Sequence, residues 1–311
     1  MSLNVIALGG NAILDTDPTD TGQKEFIKKA AALIADFVES GEDVVLCHGN
    51  GPQVGNLLLQ QKAGDSDKNP ALKLDSCVAM TQGSIGYWMQ NALSNEFTKR
   101  GKNQLVASVV TQVEVDPKDP SFENPTKPIG PFFSKEEAIA EADKDGSIFI
   151  EDSGRGYRKV VASPMPVNIV EKDTVRAMVD AGIVTVCAGG GGIPVVKDGA
   201  GYTGVEAVID KDFSAEVLAK NVNADRLIIL TGVDNIYINF NKPNQKALET
   251  LSIAEAEGYI AENHFAAGSM LPKIEAALDF VKDAPNRKTV ITSIENLKNI
   301  NDNAGTTIVS D

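Results

Sequence analysis

Val5-Ile6-Ala7-Leu8 runs straight into Gly9-Gly10-Asn11, and this junction constrains the chain more than any other feature. Strand-like residues that stop at two glycines leave backbone N–H groups free to approach a ligand, and Asn11 adds an amide that donates and accepts. Parallel-sheet proteins build anion cradles in this way at the carboxyl end of the first strand. A tight turn would explain the glycines alone equally well. Two similar loops, however, follow other apolar runs: Gly49-Asn50-Gly51-Pro52-Gln53-Val54-Gly55 and Gly189-Gly190-Gly191-Gly192. Asn11 and the recurrence favour an anion site.

The rest of the pattern agrees with such a sheet. Apolar runs predict strands at about 3–8, 43–48, 104–110, 183–188, 226–231 and 288–292, with a last one near 305–309. Between the early ones lie helical patterns. In 22–40, Phe26, Ala30, Ile34 and Val38 recur every fourth residue with Leu33 and Phe37 alongside, one apolar stripe of an amphipathic helix. Segments 53–61, 76–100, 171–181, 212–222 and 270–282 behave similarly. Near-continuous apolar strands alternating with helices predict an α/β fold, a central mostly parallel sheet covered on both faces. Residues 114–165 break this rhythm with Asp116-Pro117-Lys118-Asp119-Pro120 and Asn124-Pro125-Thr126-Lys127-Pro128-Ile129-Gly130-Pro131. A loop-rich excursion of that length inside an α/β domain reads as a flap over a site.

At 311 residues the chain is one large α/β unit or two domains. Its formal net charge of −14 argues against nucleic acid or an anionic membrane as partner. A phosphorylated ligand would then need a few placed lysines to reverse the field locally. No apolar stretch reaches the ~20 residues of a membrane span and no secretory signal is visible, so a cytoplasmic protein is expected. Cys47, Cys77 and Cys187 are widely spaced, with neither a disulfide framework nor metal spacing. His48 and His264 are the only histidines, which leaves little for a histidine-based metal site; no metal ligand from the protein is expected.

Several enzyme classes fall away on inspection. Gly49, Gly51 and Gly55 have the look of a dinucleotide-binding turn, but residues 65–75 form a polar loop where an acidic strand end should hold the ribose. No GxxxxGK[ST] sequence occurs, the protein-kinase motifs are absent, and two histidines make no case for a Ser-His-Asp triad.

What remains is a set of lysines near helix starts. Asp210-Lys211-Asp212 ends the apolar run Val205–Ile209 just before a helix. Asp212 suits an N-cap and Lys211 a solvated surface position, yet Lys211 sits where strand end and helix N-terminus converge, the place for phosphate. Gly268-Ser269-Met270-Leu271-Pro272-Lys273 opens the next helix, with Ser269 as the expected N-cap. Lys273 opposes the helix dipole there, which makes sense if an anion binds at that end. Lys127 stands among the flap prolines, and Arg155, Tyr157 and Arg158 form a second basic element on its return limb.

Together these segments resemble the carbamate kinases, of the amino acid kinase fold. The resemblance runs through Ala7–Ala12, His48–Gly55, Asn124–Phe132, Gly154–Val161, Gly189–Pro194, Val208–Asp212, Leu230–Asp234 and Gly268–Lys273, with the Asn-Pro-Thr-Lys-Pro-Ile-Gly-Pro flap the most specific. It implies a three-layer αβα sandwich with a protruding flap subdomain at 114–165. Residues 1–204 would form a carbamate-binding and dimerisation lobe, and 205–311 a nucleotide-binding lobe. It implies Mg²⁺-dependent phosphoryl transfer between ATP and carbamate, giving ADP and carbamoyl phosphate, with ATP formation in arginine or agmatine fermentation as the cellular direction. Lys127, Lys211, Asp212 and Lys273 would be catalytic, Asp212 orienting the lysines. Gly9, Gly10, Asn11, Asn50, Gly51, Gly189, Gly190 and Gly191 would line the carbamate side. Lys211, Thr231, Val233, Asp234, Tyr237, Met270 and Lys273 would hold the nucleotide. A homodimer is implied, with Tyr87 and Trp88 as interface or core residues. The position two before the first glycine, a lysine in acetylglutamate kinases, aspartokinases and UMP kinases, is Ala7 here, so Lys127 and Lys211 must supply that charge. Another small-acid kinase of this fold and a non-catalytic nucleotide-binding regulator are the alternative readings.

Overall fold

A computed structural model describes residues 2–9, 19–152 and 154–310. In chain order the strands are β1 (Leu3–Leu8), β2 (Asp43–His48), β3 (Val106–Ser108), β4 (Gln112–Val115), β5 (Lys127–Phe133), β6 (Ile148–Glu151), β7 (Tyr157–Val161), β8 (Pro166–Ile169), β9 (Val184–Val186), β10 (Ile193–Asp198), β11 (Gly201–Gly204), β12 (Arg226–Leu230), β13 (Ile236–Ile238), β14 (Lys246–Leu248), β15 (Thr250–Ser252), β16 (Lys288–Thr292) and β17 (Thr306–Val309). The helices are α1 (Asp20–Glu39), α2 (Gly51–Gly64), α3 (Leu74–Lys99), α4 (Lys135–Asp145), α5 (Lys172–Asp180), α6 (Lys211–Asn221), α7 (Ile253–Ala261) and α8 (Met270–Asp283).

Eight strands form the central sheet in the order β15-β17-β16-β12-β1-β2-β9-β3. Six run parallel, while β15 and β17 at one edge run the other way. Side chains alternate faces along a strand, and here both faces are buried. Val5, Ala7, Val45, Cys47, Leu227 and Ile229 enter one apolar core with α6 and α8. Ile6, Leu8, Val44, Leu46, Ile228 and Leu230 enter a second with α1 and α3. The result is helix, sheet, helix. From the β1/β12 pair the sheet extends through β2 and β9 on one side and through β16 and β17 on the other, with β3 and β15 at the edges. That boundary is a topological switch point, where loops at the strands' carboxyl ends diverge and leave a crevice.

The predicted strands are all present, but the flap is not loop-rich. Residues 114–165 hold a three-stranded antiparallel sheet, β5-β7-β6, and the helix α4 with a Ser134/Glu137 capping box. Pro128 and Pro131 hid β5 from a strand reading. They are tolerated because β5 is an edge strand, where a missing N–H breaks no ladder. A further four-stranded sheet, β11-β10-β4-β8, lies beside the central one. The run Val205–Ile209 is no strand; it makes one bridge, Ala162 to Ala207.

The flap rests on the main body. Val54, Leu74, Cys77 and Val78 from α2 and α3 pack with Ile129, Val161 and Val208. A Cβ on Gly55 would lie 3.1 Å from Gly130 Cα, so α2 and β5 meet backbone to backbone. Among the described residues no helix is long and apolar enough to cross a membrane.

Candidate active site

A cavity of about 540 Å³ opens at the switch point. Its walls come from the ends of β1 (Leu8, Gly9), β2 (Gly49, Asn50, Gly51) and β12 (Leu230, Thr231, Gly232), from Gly190 after β9, and from Lys127 and Ile129 of the flap. Asp210, Lys211, Asp212, Ser269 and Lys273 close the remaining side.

The starts of α6 and α8 supply the charge. Asp210 is the N-cap of α6, its Oδ1 accepting the Asp212 N–H at 2.9 Å. Asp212 is therefore not the cap but a residue of the first turn, its side chain only 4% exposed. Lys211 donates to its Oδ1, and Lys273 to its Oδ2 at 2.8 Å. Burial alone would raise the Asp212 carboxyl, but the two ammonium groups overcome this and hold it below the usual carboxylate range. Burial likewise pulls Lys211 down, and the adjoining Asp212 charge and hydrogen bond reverse the sign, leaving its pKa raised. Asp212 is thus held as a carboxylate and Lys211 as an ammonium at neutral pH.

Lys127 reaches across from the flap and donates to Asp210 Oδ2 at 2.8 Å. Asp210 is a site residue that the sequence does not single out, although its place at the head of the Asp-Lys-Asp cluster is a usable signal. One expectation about α8 is corrected. Ser269 makes no side-chain capping bond and has φ −145°, ψ −69°; the turn is closed instead by the Ser269 and Leu271 N–H groups on Ala266 O. Lys273, in the first turn of α8, is 17% exposed and bound to Asp212.

Of the other site residues, Gly9, Asn50, Gly51, Gly190 and Thr231 line the same cavity as the lysines. Gly10 and Asn11 lie outside the described residues. Gly189 and Gly191 are buried just behind the wall, where a Cβ would collide with His48 and with the Ile209 carbonyl respectively. Val233, Asp234, Tyr237 and Met270 stand off the cavity wall. Asp234 is tied to the end of β16 by Ser293 Oγ at 2.5 Å and Thr292 Oγ1 at 3.0 Å. Tyr237 packs on Phe240 with centroids 5.9 Å apart. Beneath the site, burial drives the Cys47 thiol up to about 12 and His48 down to about 4. Both are neutral scaffolding at pH 7.

Lysines converging on one aspartate at the switch point of a parallel sheet define a protein that handles phosphoryl groups. The family model described as "Amino acid kinase family" matches residues 2–293. Carbamate kinase 2 of Enterococcus faecalis is 73% identical over 308 residues, 99% of each chain. Carbamate kinase of Lentilactobacillus hilgardii is 56% identical over 98% of this chain and 96% of its own. Among solved structures, carbamate kinase from Giardia lamblia bound to AMP-PNP superposes with a TM-score of 0.92 at 41% identity, covering 100% of this chain and 99% of that one. The chain belongs to the amino acid kinase family, and within it to the carbamate kinases.

Proposed function

We propose that this protein transfers a phosphoryl group reversibly between ATP and carbamate, giving ADP and carbamoyl phosphate. The observation that carries the reading is the Lys211–Asp212–Lys273 cluster, faced by Lys127, around one cavity. Phosphoryl transfer asks a protein chiefly to align reactants and neutralise charge on the migrating group. Lys211 and Lys273 hold the nucleotide phosphates and that group, and Lys127 closes from the flap. Asp212 keeps both lysines aimed. No general base is needed, because carbamate arrives as an anion. Gly9, Gly10, Asn11, Asn50, Gly51 and Gly189–Gly191 form the carbamate side. Thr231, Val233, Asp234, Tyr237 and Met270 form the nucleotide side. On this reading 1–204 is the carbamate and dimerisation lobe and 205–311 the nucleotide lobe.

Magnesium belongs with the nucleotide. Asp210 and Asp212 already have lysines on their oxygens. Among the described residues no group of three or more His, Cys, Asp or Glu side chains is arranged to hold a metal. This donor set fits an ion coordinated by the phosphates rather than by a protein cage. When bound there, it supplies further charge neutralisation.

ATP synthesis during arginine or agmatine fermentation, in the cytoplasm, is the proposed setting; three free, buried cysteines suit a reducing compartment. A homodimer through α3 is part of the proposal, supported by Tyr87 being 60% exposed on that helix. The test is a coupled assay with carbamoyl phosphate and MgADP, in which ATP should form, and none from acetylglutamyl or aspartyl phosphate. Among the cavity-lining residues of the glycine loops there is no Arg or Lys to hold a distal carboxylate. Robust use of glutamate-sized acids with no use of carbamate would overturn the proposal and leave the fold intact.

A further inference from the structure

Asn50 ends the loop after β2 with its side chain buried in the cavity wall. Its Nδ2 donates to Thr81 Oγ1 at 2.8 Å, on the fully buried face of α3. Thr81 Oγ1 in turn donates its single proton to the Val78 carbonyl, 2.6 Å away. A hydroxyl whose proton is engaged is left only with lone pairs, so it accepts from its other neighbour. The Asn50 amide is therefore held with its NH₂ towards Thr81 and its Oδ1 turned away.

Shape fixes the position of that amide. A Cβ on Gly190 would collide with Asn50 Nδ2, Cγ and Oδ1, so the glycine backbone lies directly against it. That backbone is itself pinned by the next residue of α3. Gln82 Nε2 donates to the carbonyls of Gly189 at 3.0 Å and Thr111 at 3.1 Å, and Gln82 Oε1 accepts the Thr111 N–H at 2.7 Å. Among the described residues the bond to Thr81 is the only one the Asn50 side chain makes. Its Oδ1 is an uncommitted acceptor on a residue that lines the cavity.

We infer that Asn50 Oδ1 recognises the amino group of carbamate, and that Thr81 is the positioning residue that aims it. The inference rests on the phosphoryl-transfer reading and specifies how that site chooses its substrate. A planar amino group donates to Oδ1, whereas the methyl group of acetyl phosphate, of nearly the same shape, leaves the acceptor unsatisfied. With the Asn50 amide reversed, two NH₂ groups would face each other and the preference would vanish.

The experiment compares kcat/KM for carbamoyl phosphate and acetyl phosphate, each with MgADP, in the wild type, Thr81→Val and Thr81→Ser. The wild type should prefer carbamoyl phosphate by roughly 100-fold or more. Thr81→Val should cut that preference roughly tenfold, the scale of one hydrogen bond. The loss should fall on carbamoyl phosphate alone, with KM for ADP unchanged, and Thr81→Ser should restore the preference. If the valine variant does not fold, Asn50→Ala reads the same ratio without touching α3. Equal losses on both substrates, or an unchanged preference in folded variants, would overturn the inference. A wild type that makes ATP without preferring carbamoyl phosphate overturns the inference alone. One that makes ATP from neither acyl phosphate removes the functional reading beneath it.

Discussion

Lys127 and Asp210 lie 83 residues apart in the chain and meet at 2.8 Å, tying the flap to the first turn of α6. Asp210 serves two partners at once, since its other oxygen caps the helix. The flap is also held by the ion pair of Lys62 on α2 with Glu141 on α4, and by Lys159 with Glu206 at 3.5 Å. Of these, only the Lys127–Asp210 pair borders the cavity. An entering phosphoryl oxygen offers Lys127 the same kind of contact as Asp210 does, so substrate and carboxylate compete for one ammonium group.

Asp210→Asn separates the two roles. The amide oxygen still caps α6, but the charge that holds Lys127 is gone. Without ligands, limited proteolysis within 114–165 should then run about two- to fivefold faster, the scale of one half-exposed ion pair. MgADP with carbamoyl phosphate should slow cleavage in both proteins. Equal rates for wild type and variant would show that the pair does not hold the flap.

Lys273→Ala should lower turnover by roughly two orders of magnitude or more, as when a group opposing transition-state charge is lost. Because Lys273 is bound to the buried Asp212, the substitution also leaves that carboxylate with Lys211 alone. About 1–3 kcal/mol of stability should go with it. Parallel kcat and urea-unfolding measurements check both. Lost stability with full activity in the folded fraction would assign Lys273 a structural role only.

Much of this architecture was legible because the relevant physics is local. Strands buried on both faces leave continuous apolar runs, and Val5–Leu8 and Leu227–Leu230 carry that signature. Lys211 and Lys273 stood out because a cation at a helix start is locally unfavourable. The remainder depends on contacts between distant segments. Nothing near Pro128 announces that β5 pairs with β7, since edge position is a property of the sheet. Asp210 as the partner of Lys127, and Thr81 as the partner of Asn50, become visible only when flap, helix and strand ends are brought together.

Gly191 tests the packing behind the cavity wall. Its φ is +87°, and a Cβ would strike the Ile209 carbonyl just ahead of Asp210. Gly191→Ala therefore combines backbone strain with a clash against main chain, and should cost about 2–4 kcal/mol. Gly182 has φ +70° with open space around its Cβ position. Gly182→Ala should cost only about 1–2 kcal/mol, the conformational part alone. Chemical denaturation of the two variants reads the difference directly. Matching losses would mean that the loop after β9 moves aside without penalty.

His48 gives the protein a stability slope on the acid side of neutrality. It sits at the end of β2, 1% exposed, with Nδ1 3.0 Å from the Gly49 carbonyl. Burial pushes its pKa down to about 4 from 6.5, outweighing the opposing effect of that hydrogen bond. The unfolded chain takes up a proton below pH 6.5 that the folded chain refuses until about pH 4, so stability falls as pH drops through that window. At about 1.4 kcal/mol per pH unit, the loss from this residue is roughly 2 kcal/mol between pH 7.5 and 5. Carboxylates such as Asp212, with an ordinary value of 3.8 and a lower one in the fold, contribute their losses further down. His48→Asn retains an N–H for Gly49 and has nothing to titrate. Urea unfolding at pH 7.5 and 5 should show the wild type losing roughly 2 kcal/mol more than this variant. An identical loss in the two proteins would mean that His48 is protonated in the folded state at pH 5.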